Sequence, residues 1–89
     1  MTEIKGKLAI VTGAASGIGR ATAIELAKRG ARLAISDLDR GGLAETAKRI
    51  EAMGGSVTTY LLDVADRDAV YAFAQEIESA HGGADIVIN

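Results

Sequence analysis

Along this chain, apolar runs rich in β-branched residues alternate with segments whose apolar positions recur every three or four residues. Leu-Ala-Ile-Val-Thr from Leu8, Arg-Leu-Ala-Ile-Ser from Arg32, Ser-Val-Thr-Thr-Tyr-Leu-Leu from Ser56 and Asp-Ile-Val-Ile-Asn from Asp85 read as buried strands. Three helices are expected between them. The first runs from near Gly17 to Gly30, the second carries Leu43, Ala47 and Ile50, and the third carries Val70, Phe73, Ala74 and Ile77. Asp66 fits the N-cap of the third helix, and His81 lies at its end, before Gly82 and Gly83. Strand starts recur every 24 to 29 residues, which is the rhythm of successive β-α-β units. No linker or low-complexity tract interrupts it, so residues 1–89 read as one domain or one piece of a larger one.

Parallel strands need crossovers, and crossovers are right-handed in nearly all cases. The first two helices then share one face of the sheet. If the fourth strand returns past the first, the third helix takes the other face and the order is 3-2-1-4. A switch point opens between strands 1 and 4. Ligands of such sheets bind at the carboxyl ends of the strands beside it, where Thr-Gly-Ala-Ala-Ser-Gly-Ile-Gly, residues 12–19, follows strand 1.

Composition narrows the chemistry. A chain of 89 residues buries about 60 to 65% of its unfolded surface, so its core is thin. A net charge of −2 gives no broad attraction to nucleic acid or anionic lipid. The absence of cysteine excludes disulfides, thiolate metal sites and a thiol nucleophile, and a lone His81 builds no histidine metal site, so no metal is expected. The segment Met-Thr-Glu-Ile-Lys-Gly-Lys is charged and has no targeting or membrane pattern, which makes a cytoplasmic chain the expectation. Arg20 is expected in solvent on the first turn of its helix, with a phosphate contact as the alternative, Arg40 and Arg49 on solvated faces, and Phe73, Met53, Tyr60 and Tyr71 in a core or interface.

The glycine spacing can be tested against known loops. A P-loop needs four residues between its glycines and a following Gly-Lys-Ser/Thr, whereas three residues separate Gly13 from Gly17 and Arg20 follows Gly19. A hydrolase elbow centred on Ser16 needs glycines where Ala14 and Ile18 stand. The Gly-x-Gly-x-x-Gly fingerprint fails at Ala15. Its three physical tasks are nonetheless filled. Gly13 can turn sharply out of the strand, Gly17 can let backbone approach a pyrophosphate, and Gly19 can bring helix close to strand. The helix N-terminus adds free amides and a positive dipole end. A ligand-free flexible turn is the alternative.

In this loop the sequence resembles the short-chain dehydrogenases/reductases, whose cofactor loop has the form Thr-Gly-x-x-x-Gly-x-Gly. The match from Thr12 to Gly19 is complete. The resemblance continues at Asp37 after strand 2, at Leu-Leu-Asp-Val ending in Val64, and at Gly-Ala-Asp-Ile-Val-Ile-Asn, where Asn89 would open the family's Asn-Asn-Ala-Gly element. It implies an α/β fold, a Rossmann-like doubly wound parallel sheet with three helices. It also implies a dinucleotide contacted by Gly13, Ser16, Gly17, Ile18, Gly19, Asp37, Leu38, Asp63, Val64 and Asn89. Asp37 implies NAD, with NADP as the alternative. The family's catalytic Ser, Tyr and Lys belong to a later segment. Tyr60 is followed four residues on by Val64, and Tyr71 by Gln75, so neither forms Tyr-x-x-x-Lys.

Two expectations follow. Either the chain is the NAD-binding N-terminal part of an oxidoreductase that transfers hydride to or from an alcohol or carbonyl substrate, homo-oligomeric in its full-length form, or it is a binding module or inactive fragment. In both cases the 89 residues alone hold no catalytic set. An S-adenosylmethionine methyltransferase would also carry an acid after strand 2, but its loop typically resembles Gly-x-Gly-x-Gly.

Overall fold

The computed structural model describes residues 3–89. In chain order it comprises β1 (Leu8–Thr12), α1 (Gly17–Lys28), β2 (Arg32–Asp37), α2 (Arg40–Ala52), β3 (Val57–Leu61), α3 (Arg67–His81) and β4 (Ile86–Ile88). The four strands are parallel in the order β3-β2-β1-β4, the order expected from the switch point. Boundaries differ slightly from the sequence expectation. α1 stops at Lys28, and Gly30, at φ +90°, turns the chain toward β2. Ser56, Leu62 and Asp85 fall outside the strands.

Strand parity sorts the core onto two faces. Ala9 and Val11 of β1, with Leu33 and Ile35 of β2, meet Ala23 and Ala27 of α1 and Leu43 and Ile50 of α2. Alternate residues Leu8, Ile10 and Ala34 meet Ile77 of α3, with Phe73 and Tyr60 packed at the edge of that cluster. Tyr60 and Phe73 stack edge-on with ring centroids 5.0 Å apart. Tyr71, expected in a core or interface, stands 68% exposed on the outer side of α3 and so outside the core, and Met53 is also exposed. Tyr71 shares α3 with the buried Ile77 but lies six residues away, off its apolar stripe.

Helix ends follow the local chemistry. Asp39 caps α2 by accepting from the Gly42 amide at 3.0 Å, and Asp66 caps α3 by accepting from the Ala69 amide at 3.1 Å. α3 ends at Gly82 in the left-handed region, as its position after His81 suggests. No helix among the described residues is long and apolar enough to cross a membrane.

Candidate functional site

The glycine loop joins β1 to α1 at the carboxyl edge of the sheet, beside the gap between β1 and β4. Gly13, at φ +66°, makes the turn out of β1 in a conformation that side-chain-bearing residues rarely adopt. Gly17, at φ +55°, opens α1, and a Cβ there would project into open space. At Gly19 a Cβ would collide with the Gly13 carbonyl, so its missing side chain lets the first turn of α1 press against the loop.

Unlike α2 and α3, α1 receives no side-chain cap. Ser16 occupies the N-cap in extended conformation, its hydroxyl accepts no amide, and the first turn holds no acid. The first helical bond runs from Arg20 N–H to the Ser16 carbonyl at 3.2 Å. The amides of Gly17, Ile18 and Gly19 therefore stand at a positive dipole end with no intrahelical acceptor.

The inner half of the loop is pinned. The Ala14 amide donates to the Ser36 carbonyl at 3.0 Å, and the Ala15 amide to Asp37 Oδ2 at 2.9 Å. Asp37 Oδ1 accepts from the Asp39 amide at 3.1 Å. Partial burial pushes the Asp37 carboxyl up, but the amides of Ala15, Asp39 and Leu38 donate to it and together outweigh burial. The carboxyl lies below its ordinary value of 3.8 and is ionised at neutral pH.

Gly13, Asp37, Leu38, Leu62, Asp63 and Val64 line one cleft of about 130 Å³. Five of the ten residues singled out from sequence thus meet in one place, with Ser16 to Gly19 on the adjoining helix end. The lining contains two acids and no base. Asp63 also serves as a turn residue, its Oδ1 accepting from the Ala65 amide at 2.9 Å. Ile18 and Leu38 are exposed. Asn89 does not reach this cleft. It borders a larger, mostly apolar hollow of about 430 Å³ on the α3 face, which shares Val64 and Leu62 with the first.

Two features escaped the sequence. Arg20, expected in solvent, turns inward to bond Thr46, Ala15 and Gly42. Gly42 abuts the loop so closely that a Cβ would lie 2.6 Å from the Ala15 carbonyl oxygen. Adjacent glycines in the first turn of a helix, where alanine would be favoured, were the available clue.

A family profile described as short chain dehydrogenase matches residues 7–89. The chain belongs to the short-chain dehydrogenase/reductase family. Among curated relatives it is 50% identical over 82 residues to "Probable oxidoreductase EphD" of Mycobacterium tuberculosis, a match that spans 92% of this chain and 14% of that protein. Among solved structures it resembles a short-chain dehydrogenase/reductase from Burkholderia phymatum in complex with NAD, at 38% identity and TM-score 0.91, covering 98% of this chain and 31% of that one. A metagenomic short-chain oxidoreductase in complex with NADP is similar at 36% identity and TM-score 0.91, covering 97% of this chain and 39% of that one. The chain thus spans well under half the length of these relatives. The doubly wound 3-2-1-4 sheet with three helices is the Rossmann-like arrangement of these neighbours.

Proposed function

We propose that these residues form the NAD(H)-binding part of a short-chain oxidoreductase, and that they contribute binding and orientation while the proton donor lies elsewhere in the full protein. When bound, the nicotinamide would take or give the hydride of an alcohol or carbonyl substrate. The residues fit such a group. The open space at Gly17 and the uncapped amides of Gly17, Ile18 and Gly19 suit a diphosphate. The cleft between Leu38 and Val64, lined also by Gly13 and Asp63, suits the adenosine end, and Asn89, at the neighbouring hollow, completes the set of contacts taken over from the family.

The preference for NAD rests on one observation. Asp37 is an ionised carboxylate at the mouth of a cleft with no basic lining residue. Its free lone pairs can accept from ribose hydroxyls. A 2′-phosphate would instead bring like charge against it, and two unit charges 4 Å apart at an effective dielectric of 20 repel by about 4 kcal/mol. After solvent and salt weaken that repulsion, NAD is favoured over NADP by about tenfold to a thousandfold. NADP is the second reading, supported by the metagenomic neighbour that carries it and by the exposed Arg40 at the start of α2.

Calorimetry with NAD and NADP tests the choice. Asp37→Ser with Leu38→Arg removes the repulsion and adds a phosphate donor, and should reverse the preference. Equal affinity of the unmutated chain for both dinucleotides would defeat the role given to Asp37.

A further inference from the structure

Arg20 and Thr46 connect α1, α2 and the glycine loop. Arg20 Nη2 donates to the Ala15 carbonyl at 2.6 Å and to the Gly42 carbonyl at 3.1 Å, and its Nε donates to Thr46 Oγ1 at 2.8 Å. Thr46, fully buried, donates a hydrogen bond from its own hydroxyl to the Ala14 carbonyl at 2.7 Å. Two adjacent loop carbonyls are thus held, that of Ala14 from α2 by Thr46 and that of Ala15 from α1 by Arg20.

The consequence follows from peptide planarity. In a trans peptide the C=O and the next N–H point in opposite directions, so fixing one end aims the other. The Ala14–Ala15 peptide is fixed at both ends, its oxygen by Thr46 and its N–H by Asp37. The Ala15–Ser16 peptide is held at its oxygen by Arg20. Its other end is the Ser16 amide, the donor immediately ahead of the uncapped turn of α1. Arg20 therefore sets the direction in which the Ser16 N–H points.

Building on the dinucleotide reading above, we propose that Arg20 is a positioning residue for the diphosphate, acting by its fork on the Ala15 carbonyl and through Thr46 on the Ala14 carbonyl rather than by touching the ligand. Two carbonyls and a hydroxyl, one on the loop and two on α2, require the planar fork of a guanidinium. An ammonium reaches one of them at a time.

Arg20→Lys separates this role from a general charge effect, since it keeps the charge and the helix propensity. Titration calorimetry with NAD should show about a tenfold to hundredfold loss for Arg20→Lys and for Thr46→Val, and affinity within about twofold of the unmutated chain for Thr46→Ser, which retains the hydroxyl. Adenosine, which carries no phosphate, should bind all four proteins equally when followed by amide chemical shifts. Undiminished NAD affinity in Arg20→Lys overturns the proposal, as does a parallel loss of adenosine, which would mean general loosening. Should Thr46→Val not fold, Arg20→Lys and Thr46→Ser still decide between the outcomes. An unmutated chain that binds neither NAD nor NADP would bring down the dinucleotide reading itself, and the positioning role with it.

Discussion

The two faces of the sheet are finished to different degrees. On the α1 and α2 side, Val11, Leu33, Ile35, Leu43 and Ile50 are sealed, and six alanines in the same cluster bring helix and sheet close together. On the α3 side a single helix covers Leu8, Ile10 and Ala34, while Val87, Val70 and Val64 stay exposed around an open hollow. The glycine loop is pinned by Asp37, Thr46 and Arg20 on the finished side and by the Ser36 carbonyl at the end of β2. Rigidity is therefore concentrated where an anion would be held, and the apolar surface left over lies across the sheet from the helices that pin the loop.

Paired truncations test this contrast most strongly. Ile35→Ala opens a cavity in the finished face and should cost about 4 kcal/mol, whereas Val87→Ala, at a site 58% exposed, should cost under about 1 kcal/mol. Urea midpoints at constant m-value would give both figures. Comparable losses would mean that the faces do not differ in packing.

Next in size is Gly19→Ala, whose Cβ must displace the Gly13 carbonyl. A cost of about 2 to 3 kcal/mol is expected, together with loss of dinucleotide binding. The same substitution at Gly54, which has open space around it but a φ of +81°, should cost about 1 kcal/mol and leave binding intact.

The acid limb of stability sharpens the picture at Asp37. Its folded-state carboxyl titrates below the ordinary 3.8, so the stabilisation it provides is fully present above that value and is lost as pH falls through the lower folded pKa. As pH falls below about 4, Asp37→Asn should lose less stability than the unmutated chain. Parallel curves would show that the loop amides do not depend on the charge.

The smallest effect is expected at Ser36, whose buried hydroxyl on the α3 side of β2 has no hydrogen-bond partner. Ser36→Ala removes an unpaired polar group and should leave stability unchanged or raise it by up to about 1 kcal/mol. A clear loss in thermal midpoint would reveal a partner for that hydroxyl.

Much of this fold is legible in sequence because its signals are local. β-branched runs mark β1, β3 and β4, an apolar run marks β2, periods of three and four mark the helices, and Asp66 and Gly82 mark the ends of α3. Handedness of the crossovers supplies the rest of the order. The gathering of Gly13, Asp37, Leu38, Asp63 and Val64 also follows, since each sits at the carboxyl end of a strand or just past it. What stayed hidden depends on contacts between distant residues. Nothing in the sequence ties Arg20 to Thr46, 26 residues away, or Gly42 to Ala15, because those pairs are set by how closely α2 approaches the loop. The choice between core and surface for Tyr71 stayed open for a related reason. Aromatic character alone does not say on which side of a helix a residue falls.

The most direct test follows backbone amide shifts of the labelled chain during titration with NAD. A dinucleotide held as proposed should shift the amides of Ser16, Gly17, Ile18 and Gly19 together with those of Leu38, Asp63 and Val64, and leave Tyr71, Phe73 and the rest of α3 in place. Shifts centred on α3 and the hollow near Val87, with the glycine loop unmoved, would contradict it.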